Sequence, residues 1–172
     1  MAWKVGGSIR VAGVADAAAI AAVHVEAWRE TYVGIVPVQV LAGLSVDRRT
    51  EIWRRILTNP TAFSSSAVFV AERDGTVVGF GCCGMQRAES LSAQGYDGEI
   101  SSIYVLHAFQ RRGLGVALMS AMGGELQRGV YRRRACGSFE RTRALADSTK
   151  NSAATSLETR GTFARMVWFL LR

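Results

Sequence analysis

Apolar and polar positions change their period along this chain, and each change marks an element. "SIRVA" (8–12) alternates at period two and predicts a short first strand. From Asp16 the period lengthens: Ile20, Val23, Ala27 and Tyr32 recur at helical spacing, with Asp16 as the expected N-cap. "GIVP" breaks that helix, and Val38 to Leu44 reads as a short second helix or turn. Asp47 then precedes "RRTEIWRRIL", whose Ile52, Trp53, Ile56 and Leu57 fall on one face. "AVFVAERDGTVVGFGCCGMQR" holds two β-rich runs joined at Asp74-Gly75, a pair suited to a tight primed turn. After a polar loop at 88–97, "GEISSIYVL" is the next strand and "VALMSAMGGELQ" the helix that follows. Leu114, Leu118, Met122 and Leu126 recur every fourth residue, a stripe that packs a helix on a sheet. The order is strand, helices, hairpin, strand, glycine turn, helix, without repeats or linkers. A single domain over residues 1–172 is expected.

Composition narrows the class. The chain has 172 residues, 49% of them apolar and only two prolines, enough to bury a core. The longest apolar stretch, "VAGVADAAAIAAV", is interrupted by Asp16 and closed by His24, so neither a leader nor a membrane helix is expected. Cys82 and Cys83 sit side by side in a strand-like run and read as small buried hydrophobes in a reducing compartment, which predicts a cytoplasmic protein. His24 and His107 are too far apart in sequence to suggest a metal-ligand set, and no metal is expected. The net charge of +7 is unevenly spread. Up to Val130, twelve Lys and Arg stand against eleven Asp and Glu; after it, nine stand against three. This basic tail is mixed with Ser, Thr and Ala and lacks the aromatic spacing that stacks bases, so nucleic acid is not the expected partner.

One short stretch carries chemistry. "QRRGLG" (110–115) lies between a strand and a helix and contains two glycines, two arginines and no acid. The first amides of a helix have no partner within it, glycines let a bulky anion approach them, and the helix dipole favours negative charge. The turn therefore reads as an anion cradle reinforced by Arg111 and Arg112, against the plainer reading of a tight turn. A nucleoside-triphosphate loop would need Lys-Ser/Thr after the last glycine, where Val116-Ala117 stand. A dinucleotide fingerprint would need a small residue where Leu118 stands.

"QRRGLG" following "ISSIYVLHAF" resembles the Q/R-x-x-G-x-G/A motif of the GNAT superfamily of N-acetyltransferases, and the likeness extends over residues 8 to about 130. "EAWRETYVGIVP" is similar to one branch of that superfamily. The resemblance implies an α/β fold, a mixed but mainly antiparallel sheet flanked by helices. It also implies acetyl-CoA as cosubstrate and acetyl transfer to an unidentified primary amine, of a small molecule or a protein. Its pyrophosphate would be held by Gln110, Arg111, Arg112, Gly113, Leu114, Gly115 and Val116, and its pantetheine arm by Ile103, Tyr104 and Val105. A bulge would splay that strand from its neighbour and expose amides, one of which can stabilise the developing oxyanion. A homodimer is allowed.

Acetyl transfer to an amine needs a neutral nucleophile, a polarised carbonyl and a proton for the leaving thiolate. Glu99 opens the strand eleven residues before Gln110, where several family members place a general base. The competing reading is a strand-edge glutamate without a chemical role. Trp28, Tyr32 and Trp53 are candidates for the amine pocket, although aromatics at helical spacing more often belong to a core. Cys82 and Cys83 have no basic neighbour in sequence and are not expected to act as nucleophiles.

After Val130 the likeness stops. The family continues with a fifth strand, often L-W-V-like, and a helix carrying N-x-x-A-x-x-F-Y, whose tyrosine commonly serves as general acid. This chain reads "YRRRACGSFERTRALADSTKNSAATSLETRGTF", with no strand alternation and Tyr131 as its one tyrosine, so the C-terminal elements are expected to be missing or aberrant. Back-translation suggests why. If the third base of each codon from Ala135 is read with the first two of the next, Ala-Cys-Gly-Ser permits L-W-V-L. Arg141 with Thr142 permits Asn, Ala144 with Leu145 permits Ala, and "DSTKNSA" from Asp147 permits F-Y-E-K-L-G-G. Another frame can thus spell the missing motif at its own spacing, although degenerate codons allow other spellings. Two alternatives to an active enzyme follow: an acyl-CoA binder without turnover, and a frame-shifted product without function.

Overall fold

A computed structural model describes residues 7–129, 131 and 134–136. All of them lie in Met1–Ser138, the first of two units into which the chain divides. The expected aberrant tail beyond them, including the closing "FARMVWFLLR", lies outside the described residues.

Five strands form one sheet in sequence order: β1 (Ser8–Val11), β2 (Ser65–Arg73), β3 (Thr76–Met85), β4 (Gly98–Val105) and β5 (Arg134–Cys136). The first four are antiparallel to their neighbours, and β5 runs parallel to β4. β2 and β3 join through Asp74 (φ 50°) and Gly75 (φ 75°), both left-handed, as a primed turn requires. The fifth strand corrects the expectation that the tail offers none. Among the described residues it pairs Arg134–Cys136 with Gly98–Ile100. Strand pairing is a backbone interaction, so a segment without apolar alternation can still occupy an open sheet edge.

The helices divide between the two faces. On one face, α1 (Ala17–Thr31) and α3 (Val46–Thr58), linked through the short α2 (Val38–Ala42), bury Ile20, Val23, Trp53 and Ile56 against Val68, Val70 and Phe80. The polar loop at 88–97 contains a single turn of helix, α4 (Glu89–Ser92). On the other face α5 (Leu114–Arg128) lays down its stripe: Leu114, Leu118, Met122 and Leu126 are all fully buried. Each such side chain contributes roughly 1.5–3 kcal/mol by leaving water. Gly81 in β3 makes that packing possible, because a Cβ there would sit 2.7 Å from the Met122 sulfur.

Asp16 holds the expected N-cap position of α1 but does not cap it with its side chain. It accepts instead from the Gly13 amide (2.8 Å) and pairs with Arg10 (2.7 Å), which also holds Glu72 on β2. The cap of α3 is Ser45, whose Oγ accepts from the Arg48 amide at 3.3 Å, and Asp47 lies inside the first turn. Among the described residues no helix is long and apolar enough to cross a membrane.

Candidate active site

The turn between β4 and α5 is built to leave amides free. Arg111 (φ 57°) and Gly113 (φ 80°) are both left-handed, and Gly113 serves as N-cap without a side chain to fill the helix end. For Arg111 this conformation costs about 1–2 kcal/mol, strain stored in the turn. The first helical bond of α5 runs from the Ala117 amide to the Gly113 carbonyl at 2.9 Å. The amides of Leu114, Gly115 and Val116 come before it. Gln110 ties the turn to the strand: its Nε2 donates to the Val105 carbonyl at 3.0 Å. The Glu30 carboxylate accepts from the His107 amide (2.9 Å) and fixes the end of α1 to the same turn. Arg112 lies over the Phe109 ring, 5.8 Å from its centroid.

Gly115 is informative because the protein itself does not require it. Its φ is ordinary, and a Cβ built there meets nothing within 4 Å. A side chain there would project into open space.

β4 leads into this turn and stays paired with β3 as far as Val105, with one irregularity on the way. Its register against β3 slips between Cys82 and Cys83, which face Ser102 and Ile100, so Ser101 is bulged. This is the bulge anticipated in that strand. Among the described residues β5 pairs with Gly98–Ile100, and β4 continues from there to Val105, where the turn begins. Ile100, Ile103 and Val105 face α5, whereas Tyr104 packs under α1 and α3.

Residues 25–135 match the Acetyltransferase (GNAT) family. The chain belongs to that family. It is 39% identical over 119 residues to the uncharacterized N-acetyltransferase YuaI of Bacillus subtilis (strain 168), a match that covers 69% of this chain and 62% of that protein's length. Its fold is that of the PaiA N-acetyltransferase from Thermoplasma acidophilum, solved in complex with coenzyme A: TM-score 0.57, 17% identity, 72% of this chain and 74% of that one. It is also that of a GNAT family acetyltransferase from Brucella melitensis in complex with acetyl-CoA: TM-score 0.52, 23% identity, 80% of this chain and 82% of the other.

In this GNAT domain Glu99 is buried at the start of β4 and held by Arg87. One carboxylate oxygen accepts from the Arg87 amide at 3.0 Å, the other from its Nε at 2.7 Å and from its Nη2. A carboxylate has about four acceptor sites, so three donors leave roughly one for a water or a substrate. Sequence reading missed Arg87, since its pairing with Glu99 depends on the register across a bulge.

The face under α1 and α3 gathers His24, Trp28, Trp53, Phe80 and Tyr104. Trp28 Nε1 donates to the Tyr104 hydroxyl and Trp53 Nε1 to His24 Nδ1, both at 3.1 Å. Trp28 and Trp53 are core residues, while Tyr32, whose ring centroid is 4.8 Å from that of Trp28, is half-buried at the end of α1. Burial, and secondarily the Arg49 charge, push the His24 pKa down to about 3. His24 is therefore neutral in the fold, and it must take up a proton on unfolding at any pH below its ordinary value near 6.5. Stability should be intact above about pH 6.5 and fall progressively towards pH 3, by up to ~4 kcal/mol from this group. Urea titrations across that range should show the loss, and His24→Phe should flatten it; equal slopes in both proteins would contradict the assignment.

Cys82 and Cys83 are both free and buried. The Cys83 thiol is pushed up to about 12, by burial first and then by Cys82 and Glu125, so it is protonated at neutral pH and is no nucleophile. Among the described residues no cluster of His, Cys, Asp and Glu could hold a metal.

Proposed function

We propose that this chain transfers an acetyl group from acetyl-CoA to a primary amine of a small molecule or a protein, in the cytoplasm. The observation that carries the reading is Gly115: an ordinary helical residue whose missing side chain matters to nothing in the protein and to anything bound before the helix. The amides of Leu114, Gly115 and Val116, with Arg111 and Arg112, would hold the pyrophosphate, and Gln110 and Gly113 give the turn its shape. The end of β4 at Ile103, Tyr104 and Val105 would receive the pantetheine arm. When bound, acetyl-CoA supplies the activated acetyl thioester. Support for that cosubstrate comes from the two fold relatives that carry coenzyme A and acetyl-CoA.

Glu99 is the proposed proton acceptor for the amine, through its remaining acceptor site and a water. Glu99→Gln should lower kcat roughly 100-fold where the amine is protonated, with acetyl-CoA affinity retained. The control is Arg87→Gln, which breaks the same ion pair but keeps the carboxylate. If both variants leave the pH–rate profile unchanged and lose stability alike, Glu99 is an anchor for Arg87 and no base. The three donors already on Glu99 favour one alternative, a chain that binds acyl-CoA without turnover. Stoichiometric binding without thiol release over a panel of amines would establish it.

A further inference from the structure

The face of the sheet under α1 and α3 contains a cation without a counter-ion. Arg49 is 5% exposed, and among the described residues it has neither an ion pair nor a hydrogen-bond acceptor. The acids of the surrounding elements are occupied or turned away. Glu51 bridges Arg54 and Arg55, Glu30 accepts from the His107 amide, Glu99 holds Arg87, and Asp16 and Glu72 share Arg10. Glu26 and Asp47 are exposed.

A second donor beside it is also unanswered. Because His24 Nδ1 accepts from Trp53, the proton of the neutral ring sits on Nε2. That Nε2 is buried with no partner. Arg49 stands one turn before Trp53 on the buried face of α3, and Trp53 is bonded to His24, so Arg49 and His24 belong to the same layer. His24 and Tyr104 lie ring to ring at 5.3 Å, and Tyr32 on the rim is half-buried. Buried charges are normally paired and buried N–H groups normally satisfied; here a guanidinium and an imidazole N–H are buried in one layer, and neither has an acceptor among the described residues. The group that fits is planar, anionic and carries two oxygens, matching the fork of an arginine.

We propose that Arg49, backed by His24 Nε2, receives a carboxylate carried by the acceptor, which makes amino acids and similar amino-carboxylates the substrate class. The inference rests on the acetyl-transfer reading above, because Tyr104 belongs to β4, the strand that runs from Glu99 to the glycine turn. An acceptor anchored by its carboxylate beside Tyr104 presents its amine along that strand.

The test compares the common amino acids with their carboxamides, which keep the amine and lose the charge. The full chain should show kcat/KM at least tenfold higher for the best acid than for its amide. In Arg49→Gln that ratio should fall at least tenfold, and Arg49→Lys should recover part of it. A structural role alone would lower both substrates together and leave the ratio intact, which would overturn the proposal. A second readout is independent of turnover: fluorescence of Trp28 and Trp53 on titration with the N-acetylated amino acid, its amide, and acetate. Tighter binding of the N-acetylated acid than of either control, lost in Arg49→Gln, supports the site even if no acceptor turns over, in which case the acetyl-transfer reading alone fails. Acetate binding as tightly as the N-acetylated acid identifies a free-anion site and overturns the acceptor assignment. Absence of discrimination in both assays also overturns it.

Discussion

Gly115→Val should abolish acetyl-CoA binding while leaving the fold as stable as before, and Gly113→Val should lose both. The two glycines stand two residues apart but are required for different reasons. Gly113 has φ 80°, which a β-branched side chain adopts only under strain, so valine there should cost roughly 1–3 kcal/mol of stability as well as the cradle. Gly115 has an ordinary φ and open space around a built Cβ, so valine is tolerated by the empty protein and obstructs only what docks against the amides. Calorimetric titration of acetyl-CoA and urea melts of the two variants separate these effects. Unchanged affinity in Gly115→Val would remove the cradle from the account; a large loss of stability in that variant would mean the glycine serves the fold.

A one-base correction of the gene near codons 128–134 should convert a poorly soluble, weakly active chain into a well-folded, acetyl-CoA-binding enzyme. Two observations converge on that short region. The charge imbalance begins after Val130, and the family match stops at residue 135. An alternative frame from Ala135 can spell L-W-V-L, then N-x-x-A-x-x-F-Y-E-K-L-G-G, the fifth strand and the tyrosine-bearing helix that the family resemblance implies. A GC-rich gene read out of frame also yields Arg, Ala, Ser and Thr, the composition of this tail. Resequencing the DNA and comparing yield and thiol release of the written and corrected chains tests the idea. A DNA sequence without the family reading in either other frame would end it, as would full activity of the written chain.

Local chemistry was legible in the sequence, and pairings across long separations were not. Asp74-Gly75 announces its turn because two successive left-handed residues need such a pair, and the α5 stripe announces its buried face because one helix period suffices. The cradle is a short continuous stretch and could be read in the same way. Caps were less certain: Asp16 and Ser45 both suit the role, and only Arg10, brought alongside in space, decides that Asp16 turns to an ion pair. Glu99 could be singled out by spacing, but its clasp by Arg87 follows from hairpin register and the Ser101 bulge, which no local pattern encodes. Arg49 did leave a signal. It precedes Trp53 and Ile56 by four and seven residues, on the face that α3 buries, where an arginine is out of place.

The most direct test of acetyl transfer is a single-turnover experiment with the full chain in excess over acetyl-CoA, in which free thiol and N-acetylated amine are quantified together. The account predicts equal amounts of both, dependent on the amine and absent in Gly115→Val. Thiol released without N-acetylated product, or acetyl-CoA bound and left intact with every amine, would contradict it.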